Sequence, residues 1–516
     1  MKVLFFARHF TYLRNFESAL RLLSEHGHQV HIAVGREEAF GGREMVERLS
    51  RDYPGITAGS APARADEWYR LATRLRLGLD YLRYLDPAYS SAPRIEARSR
   101  ERAPRFVLAL ARTVARWPLV RRRLARWLWA IEQSVPLSRE IRSYIRAQSP
   151  DAVLITPLLG VVASPELDYL YTAKALGVPT ALCVWSWDHL SSKALIRTLP
   201  DRVLVWNPTQ QREAIELHGV PPERVVVTGA QCFDQWFDRK PSRSREAFCA
   251  RVGLSDSGPF VLWVCSALFK GSPSEATFVL EWIRALRQGD DPSLREVNVL
   301  VRPHPQRLAE WEAVDTAQWP RVALWGANPV GPEARADYFD SLHYSTAIVG
   351  LNTSAFIEGA IAGRPVYTVL PPAYRENQEG TIHFHYLLDG DRALLRAART
   401  LPEHATQLAA ALRGEVPDGD RSRRFVETFV RPQGLGHAST PIFVEAVESL
   451  PRVERAPIQM AATAWSRAAL RLMRRAYRTD RGRAWIEAPD YLHSKKRAKD
   501  QARKQAAKLV RPEAGP

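Results

Sequence analysis

Apolar runs that do not alternate with polar residues recur along most of this 516-residue chain, each followed by a short polar loop. Such runs read as buried parallel strands, because a strand covered on both faces has no solvent side to keep polar. KVLFFA (2–7) opens the pattern, the amphipathic stretch RNFESALRLLSEHGH carries Gly27 near its end, and QVHIAV (29–34) closes the first βαβ unit. The rhythm resumes at DAVLIT (151–156), PTALCVWSW (179–187), DRVLVWN (201–207) and ERVVVTG (223–229). It lapses over 231–258, where FDRKPSRSREAF reads as a linker and connecting helix. A second set follows at 259–266, 296–305, 321–325, 346–350 and 365–370, and residues 391–450 read as mostly helical. The class is α/β: two doubly wound Rossmann-like domains facing a cleft, with ligands expected beyond the carboxyl ends of their strands.

The charge is placed unevenly on this frame. Residues 94–146 hold 14 arginines against four glutamates, a net of +10, and residues 456–516 hold 15 Lys/Arg against five acids, again +10. The chain total is +17, so everything else carries about −3. In the first basic segment Phe106, Leu110, Trp117, Leu124, Trp127, Leu128 and Trp129 recur among the arginines at helical spacing, and Pro118 breaks the run into two helices. The tail repeats the theme with Trp465, Leu470, Leu472, Met473 and Tyr477 before the polar stretch SKKRAKDQARKQAAK. Arginine stems beside tryptophan suit helices lying in an anionic headgroup layer. The competing account packs Trp127 and Leu128 on the domain and leaves the arginines solvated. No nucleic-acid-binding motif accompanies the charge, so no specific nucleic acid is expected.

Boundaries follow: 1–240 for an N-terminal domain containing a basic amphipathic helical insertion over 94–147, 255–450 for a C-terminal domain, and 451–516 for a basic helical tail. The four cysteines contain no CxxC pair, which argues against a disulfide scaffold or zinc knuckle. No stretch approaches the roughly 20 apolar residues of a spanning helix. The apolar run at the N-terminus is too short for a signal peptide, because Arg8 ends it. A cytoplasmic protein, soluble or peripheral on the inner face of the plasma membrane, is the expectation.

The most informative stretch is TAIVGLNTSAFIEGAIAGRPVYTVL (346–370). A strand ends at Gly350, Asn352 or Thr353 caps the next helix, and Gly363 ends that helix before Pro365 opens another strand. The N–H groups of residues 353–355 form an anion site, and Glu358 lies one turn after Ser354 on the same face, placed to accept from sugar hydroxyls. At the end of another strand, Arg302-Pro303-His304-Pro305 presents a guanidinium and an imidazole stiffly, a pair suited to a diphosphate. Ser266, Lys270, Gly271 and Ser272 follow the first strand of the second domain and can close over phosphates.

The run from Glu358 to Val366, E-G-A-I-A-G-R-P-V, resembles the E-A-M-A-x-G-x-P-V element of nucleotide-sugar glycosyltransferases with the GT-B fold. The resemblance implies that Glu358 binds the nucleotide ribose and that the co-substrate is a nucleotide sugar, with no other cofactor. Many retaining members carry a second glutamate eight positions earlier, where this chain has Gly350. The loop GLNTS is more similar to capsule and teichoic-acid enzymes and to the non-hydrolysing UDP-sugar 2-epimerases, which share the fold, and the R-P-H-P element is similar to those of capsule and CDP-glycerol transferases. In the first domain Asp188, between Trp187 and His189, and His9, after the first strand, are candidates for a base acting on the acceptor hydroxyl. The Trp185/Trp187 pair suits stacking on a sugar face. Gly229-Ala230-Gln231 and Arg375, Glu376, Asn377 and Gln378 are further candidates for contact with donor or acceptor. The leading expectation is metal-independent sugar transfer to a glycan or lipid-linked acceptor at an anionic membrane surface; DDP (290–292) is a superficial match to a metal-binding acidic pair. The alternatives are a UDP-sugar 2-epimerase, a CDP-glycerol-type phosphotransferase, and a non-catalytic basic adaptor that binds membrane or nucleic acid.

Overall fold

A computed structural model describes residues 1–488 except 36–41, 115–116, 163, 194, 316–317, 327, 330 and 457–461. The polar stretch SKKRAKDQARKQAAK (494–508) and the rest of the expected tail from 489 onward lie outside the described residues.

Two all-parallel sheets form the frame. The first contains β1 (Lys2–Ala7), β2 (Gln29–Val34), β3 (Ile56–Ser60), β4 (Ala152–Thr156), β5 (Thr180–Cys183), β6 (Arg202–Val205) and β7 (Val225–Val227), in the order β3-β2-β1-β4-β5-β6-β7. The second contains β8 (Phe260–Val264), β9 (Asn298–Arg302), β10 (Val322–Leu324), β11 (Ala347–Gly350), β12 (Val366–Val369) and β13 (Arg396–Ala398), in the order β10-β9-β8-β11-β12-β13. Phe5 sits opposite both Ile32 of β2 and Leu154 of β4, and Leu262 sits opposite Leu300 of β9 and Ile348 of β11. Strand order therefore reverses at β1/β4 in one sheet and at β8/β11 in the other, the switch points where open α/β sheets leave a crevice. Two doubly wound sheets, each with helices on its faces, confirm the expected class.

Two of the four edge strands, β3 and β13, escaped the sequence reading. ITAGS exposes most of its residues, and RAA is a three-residue strand inside the stretch expected to be mostly helical. The other two edges, β7 and β10, carry the apolar cores VVV and VAL and are legible; β3 and β13 hold no such core.

Helix Ser439–Ser449, expected to close the second domain, packs instead on the first. Phe443, Val444 and Val447 join the core formed by Phe5, Phe16, Leu20 and Ile32. The crossing is fastened at Asp234: Oδ1 accepts from Arg431 Nη2 at 2.9 Å and Ser439 N–H at 3.1 Å, and Oδ2 accepts from Thr440 N–H and Oγ1, both at 2.6 Å. Gly229 serves this seam. Its φ is +82°, and a Cβ there would stand 2.0 Å from Ser439 Oγ.

The helical insertion is longer than 94–147. Helix Tyr69–Tyr84 already belongs to it, and helix Ala464–Tyr477 of the tail packs into the same cluster, where Leu470 meets Leu75, Val107 and Leu128. Pro118 opens helix Pro118–Gln133 at a position that needs no backbone donor, so the expected break occurs. A buried ion network anchors the insertion to the sheet domain: Arg76 bonds Glu132 at 2.7 Å and Asp168 at 2.9 Å, and Arg64 bonds Asp168 at 3.0 Å. These cations outweigh burial and hold the Asp168 carboxyl below its ordinary range. No described helix is long and apolar enough to cross a membrane.

Candidate functional site

A cavity of about 970 Å³ lies between the two units, lined by loops that follow the carboxyl ends of β1, β5, β8, β9 and β11 and by the insertion helix Pro93–Arg102. Eight cations line it (Arg14, Arg94, Arg98, Arg102, Arg239, Lys270, Arg302 and Arg335) against three carboxylates, Glu101, Asp188 and Glu358. A cleft of that balance attracts a polyanion and focuses its field on it.

The β8/β11 switch point supplies one wall. Ser266 is buried, and its Oγ accepts the Asn352 N–H at 3.0 Å, fixing the two loops to each other. Asn377 ties in a third: its Oδ1 accepts the Phe269 N–H at 2.8 Å, and its carbonyl accepts from Asn352 Nδ2. Asn352, Thr353 and Ser354 line the cavity. Of the three N–H groups expected to meet an anion, that of Ala355 is turned onto Thr353 Oγ1 at 3.3 Å, which leaves Thr353 and Ser354 as the donors at this edge. Helix Ala355–Ile361 follows and carries Glu358 into the cavity lining.

Glu358 has a protein partner in the cavity wall. Its Oε2 accepts the hydroxyl of Tyr338, a residue on helix Pro332–Tyr344 that nothing in the sequence singled out. Burial pushes the Glu358 carboxyl up to about 7, against the opposing pull of the Tyr338 hydrogen bond and of Arg14, Arg239 and Arg302. Gly350 is enclosed: a Cβ there would lie 2.7 Å from the Val264 carbonyl and 3.1 Å from the Phe356 ring. A second carboxylate at this position has no room.

Arg302 is 4% exposed, and its guanidinium lies 5.1 Å from the centre of the Tyr338 ring. Gly326 makes the space, since a Cβ there would meet the guanidinium carbon at 2.7 Å. Arg302 Nη1 is buried with no hydrogen-bond partner among the described residues. His304 accepts the Gln306 N–H on Nδ1 at 3.2 Å, so its neutral ring carries the proton on Nε2. Burial, with Arg14 and Arg307 nearby, lowers its pKa to about 4, and at neutral pH it is an uncharged donor.

The first domain faces this wall with Trp185, Ser186, Trp187 and Asp188. These residues follow β5, which ends at Cys183 rather than running to 187. Ser186 Oγ donates to Asp188 Oδ1 at 2.7 Å and fixes the carboxylate. Trp187 packs edge-on to His383 with centroids 4.8 Å apart, and Trp185 meets Tyr12 at 4.6 Å.

The structure thus brings Asp188, Glu358, Asn352, Thr353, Ser354, Arg302, His304 and Lys270 to one cavity, and Lys270 stands exposed in its lining. Others move out of it. His9 packs ring to ring with Tyr12 at 4.4 Å, neither ring is part of the lining, and His9 is not placed to act as base. Ser266 is a loop fastener, not a phosphate ligand. The backbone of Gly229-Ala230-Gln231 belongs to the interdomain seam, where the Ala230 N–H donates to the Val430 carbonyl at 2.8 Å. Of residues 375–378, only Asn377 lines the cavity; Gln378 is buried on the Leu351 and Val369 carbonyls, and Glu376 pairs with Arg94. Asp291 of the DDP run caps helix Pro292–Glu296 by accepting the Ser293 N–H at 2.9 Å.

The cations that sequence reading missed as site residues are Arg14, Arg239, Arg335 and the row Arg94, Arg98 and Arg102. The row had a signal, since three arginines four apart share one face of helix Pro93–Arg102. The sequence leaves this row between headgroup contact and a solvated face, whereas in the structure it lines the cleft.

The raised Glu358 pKa gives a pH prediction with a definite sign. Its unfolded value is 4.5 and its folded value about 7, so the favourable contribution is complete below 4.5 and is lost as pH rises through about 7. Glu358→Gln should therefore gain thermal midpoint relative to the parent between pH 5 and 7 and hold a constant difference above. A difference independent of pH from 4 to 8 would mean that this carboxyl is not desolvated.

No family model and no curated protein matches the chain. Among solved structures it is similar to a glycosyltransferase from Rickettsia africae ESF-5, with 9% identity and a TM-score of 0.48, covering 87% of this chain and 97% of that one. It is also similar to a UDP-GlcNAc 2-epimerase from Neisseria meningitidis bound to UDP-GlcNAc, with 12% identity and a TM-score of 0.47, covering 87% and 100%. A UDP-GlcNAc 2-epimerase from Methanocaldococcus jannaschii in complex with UDP-GlcNAc and UDP aligns at 11% identity and a TM-score of 0.47, covering 87% and 99%.

Proposed function

We propose that this chain is a glycosyltransferase that moves a sugar from a nucleotide-sugar donor to an acceptor hydroxyl held against the first domain. The supporting observation is the buried cation Arg302, whose Nη1 faces no protein acceptor among the described residues while Glu358, His304 and the Thr353/Ser354 N–H groups line the same cavity. A donor diphosphate would supply the missing acceptor. Arg302 would take the charge that develops on the departing diphosphate, and the Nε2–H of His304 would hydrogen-bond it without competing for a proton. Arg14 reaches the same region from the first domain, close enough to help depress the His304 pKa. Glu358 would accept from the ribose hydroxyls. Asp188, oriented by Ser186, is the candidate base that takes the acceptor proton as its oxygen attacks the sugar. The tryptophans beside it would pack on the face of the sugar ring.

The direct test is calorimetry with nucleoside diphosphates. Binding should be measurable for one of them, and Glu358→Ala should weaken it by about 1.5–3 kcal/mol, the worth of hydrogen bonds to a charged acceptor. Unchanged affinity would remove the ribose assignment. Incubation with candidate nucleotide sugars then reads the reaction itself. Release of a free epimerised sugar with no acceptor consumed would replace transfer by epimerisation.

A further inference from the structure

We infer that the outer faces of helices Pro118–Gln133 and Ala464–Tyr477 together form a docking surface for an anionic lipid leaflet. The two helices come from opposite ends of the chain, and their inner faces are accounted for: Leu124 and Leu128 of one and Leu470 and Met473 of the other pack into the core of the insertion. The opposite faces should then be polar, as on any amphipathic surface helix. They are not. Leu119 is 75% exposed, Trp127 62%, Leu472 63% and Trp465 47%.

These side chains are grouped. Val120 and Trp127 are seven residues apart on one helix, and Trp465 and Leu472 are seven apart on the other, so each pair shares a face. The Trp127 and Trp465 rings meet edge to face with centroids 6.4 Å apart, which joins the two pairs into one patch. Trp117, at the head of the first helix, is 65% exposed and lies at its end.

Charge decides the occupant. Arg122, Arg123, Arg126, Arg467, Arg471 and Arg475 are exposed on the same two helices. The only acid in either helix is Glu132, which is buried and paired with Arg76. A second copy docking face to face would bring arginine against arginine, and like charges across an interface oppose association. A nucleic acid would satisfy the arginines and leave leucine and tryptophan tips in water. An anionic leaflet meets both, with aromatic and aliphatic tips in the acyl boundary and guanidinium groups among the headgroups. This inference does not rest on the reaction proposed above, and vesicle binding tests it without any turnover.

The experiment is cosedimentation of the intact protein with vesicles of phosphatidylcholine and phosphatidylglycerol in about equal parts, beside vesicles of phosphatidylcholine alone. The intact protein should bind the anionic vesicles and bind the neutral ones at least tenfold more weakly. Leu119→Ser with Leu472→Ser should lower anionic binding at least tenfold at an unchanged melting temperature, since both side chains already face solvent. Arg122→Ala, Arg126→Ala and Arg471→Ala together should lower it about 100-fold, from roughly 1 kcal/mol per arginine. Absence of binding to anionic vesicles at low salt overturns the inference. So does equal binding by the leucine double variant, which would leave a diffuse charge effect. Self-association that the double variant abolishes, without vesicle binding, would assign the patch to a second copy and overturn it as well.

Discussion

Arg302→Lys should slow the proposed sugar transfer about 10²- to 10³-fold, the cost of removing one preorganised donor from a developing charge, while the melting temperature moves by only a few degrees. Lysine keeps the positive charge, so electrostatic attraction of the diphosphate survives. What it lacks is the planar fork, which Tyr338 holds from one side at 5.1 Å and the bare backbone of Gly326 permits on the other. Burial lowers the Arg302 pKa, and no carboxylate lies within ion-pair distance among the described residues. A buried cation in that state is costly until an anion arrives. Nucleoside diphosphate should therefore raise the melting temperature of the parent more than that of Arg302→Lys. A variant that melts early yet turns over at the parental rate would move Arg302 to a structural role.

The second large effect concerns stability. Asp234→Ala should cost about 3–5 kcal/mol, the usual penalty for stranding one member of a buried pair. The residue is 8% exposed and Arg431, its partner, 7%. The substitution would also release the Ser439 and Thr440 N–H groups at the start of the helix that closes the first unit. Urea titration followed by tryptophan fluorescence reads the loss. A change below about 1 kcal/mol would mean that apolar burial of Phe443, Val444 and Val447 holds the crossing without the carboxylate.

Sequence reading recovered the strands at the centre of each sheet because β1, β4, β8 and β9 are buried on both sides, and their apolar runs are unbroken. It missed the edges β3 (ITAGS) and β13 (RAA), which have no apolar run, while the edges β7 and β10 were legible through VVV and VAL. Within the site, residues at strand ends were legible: a strand ending at Arg302 or Gly350 states where its loop must emerge. Tyr338 and Arg335 were not, because a helical residue reaches a cleft only through the docking of its helix, and no spacing encodes that; Arg239, in the loop after helix Asp234–Phe237, sits in no motif either. Ser266 and His9 show the converse error. A polar residue after a strand can as well fasten loops or pack on an aromatic ring as meet a ligand. The two basic segments were each legible as amphipathic, yet their contact through Trp127 and Trp465 joins residues 338 positions apart, which periodicity cannot reveal.

The return of helix Ser439–Ser449 to the first sheet also bears on how the chain matures. Synthesis runs from the N-terminus, and domains commonly fold as they emerge from the ribosome. Here β1 to β7 are complete by Val227, but the apolar ground around Phe16 and Leu20 is covered by residues made more than two hundred positions later. Through all of that interval the nascent first unit carries an open greasy flank. The second unit, contiguous from Phe260 to Ala398 in its strands, has no such wait. The half translated last would be able to finish first, and chaperone protection would be needed most for the half translated first.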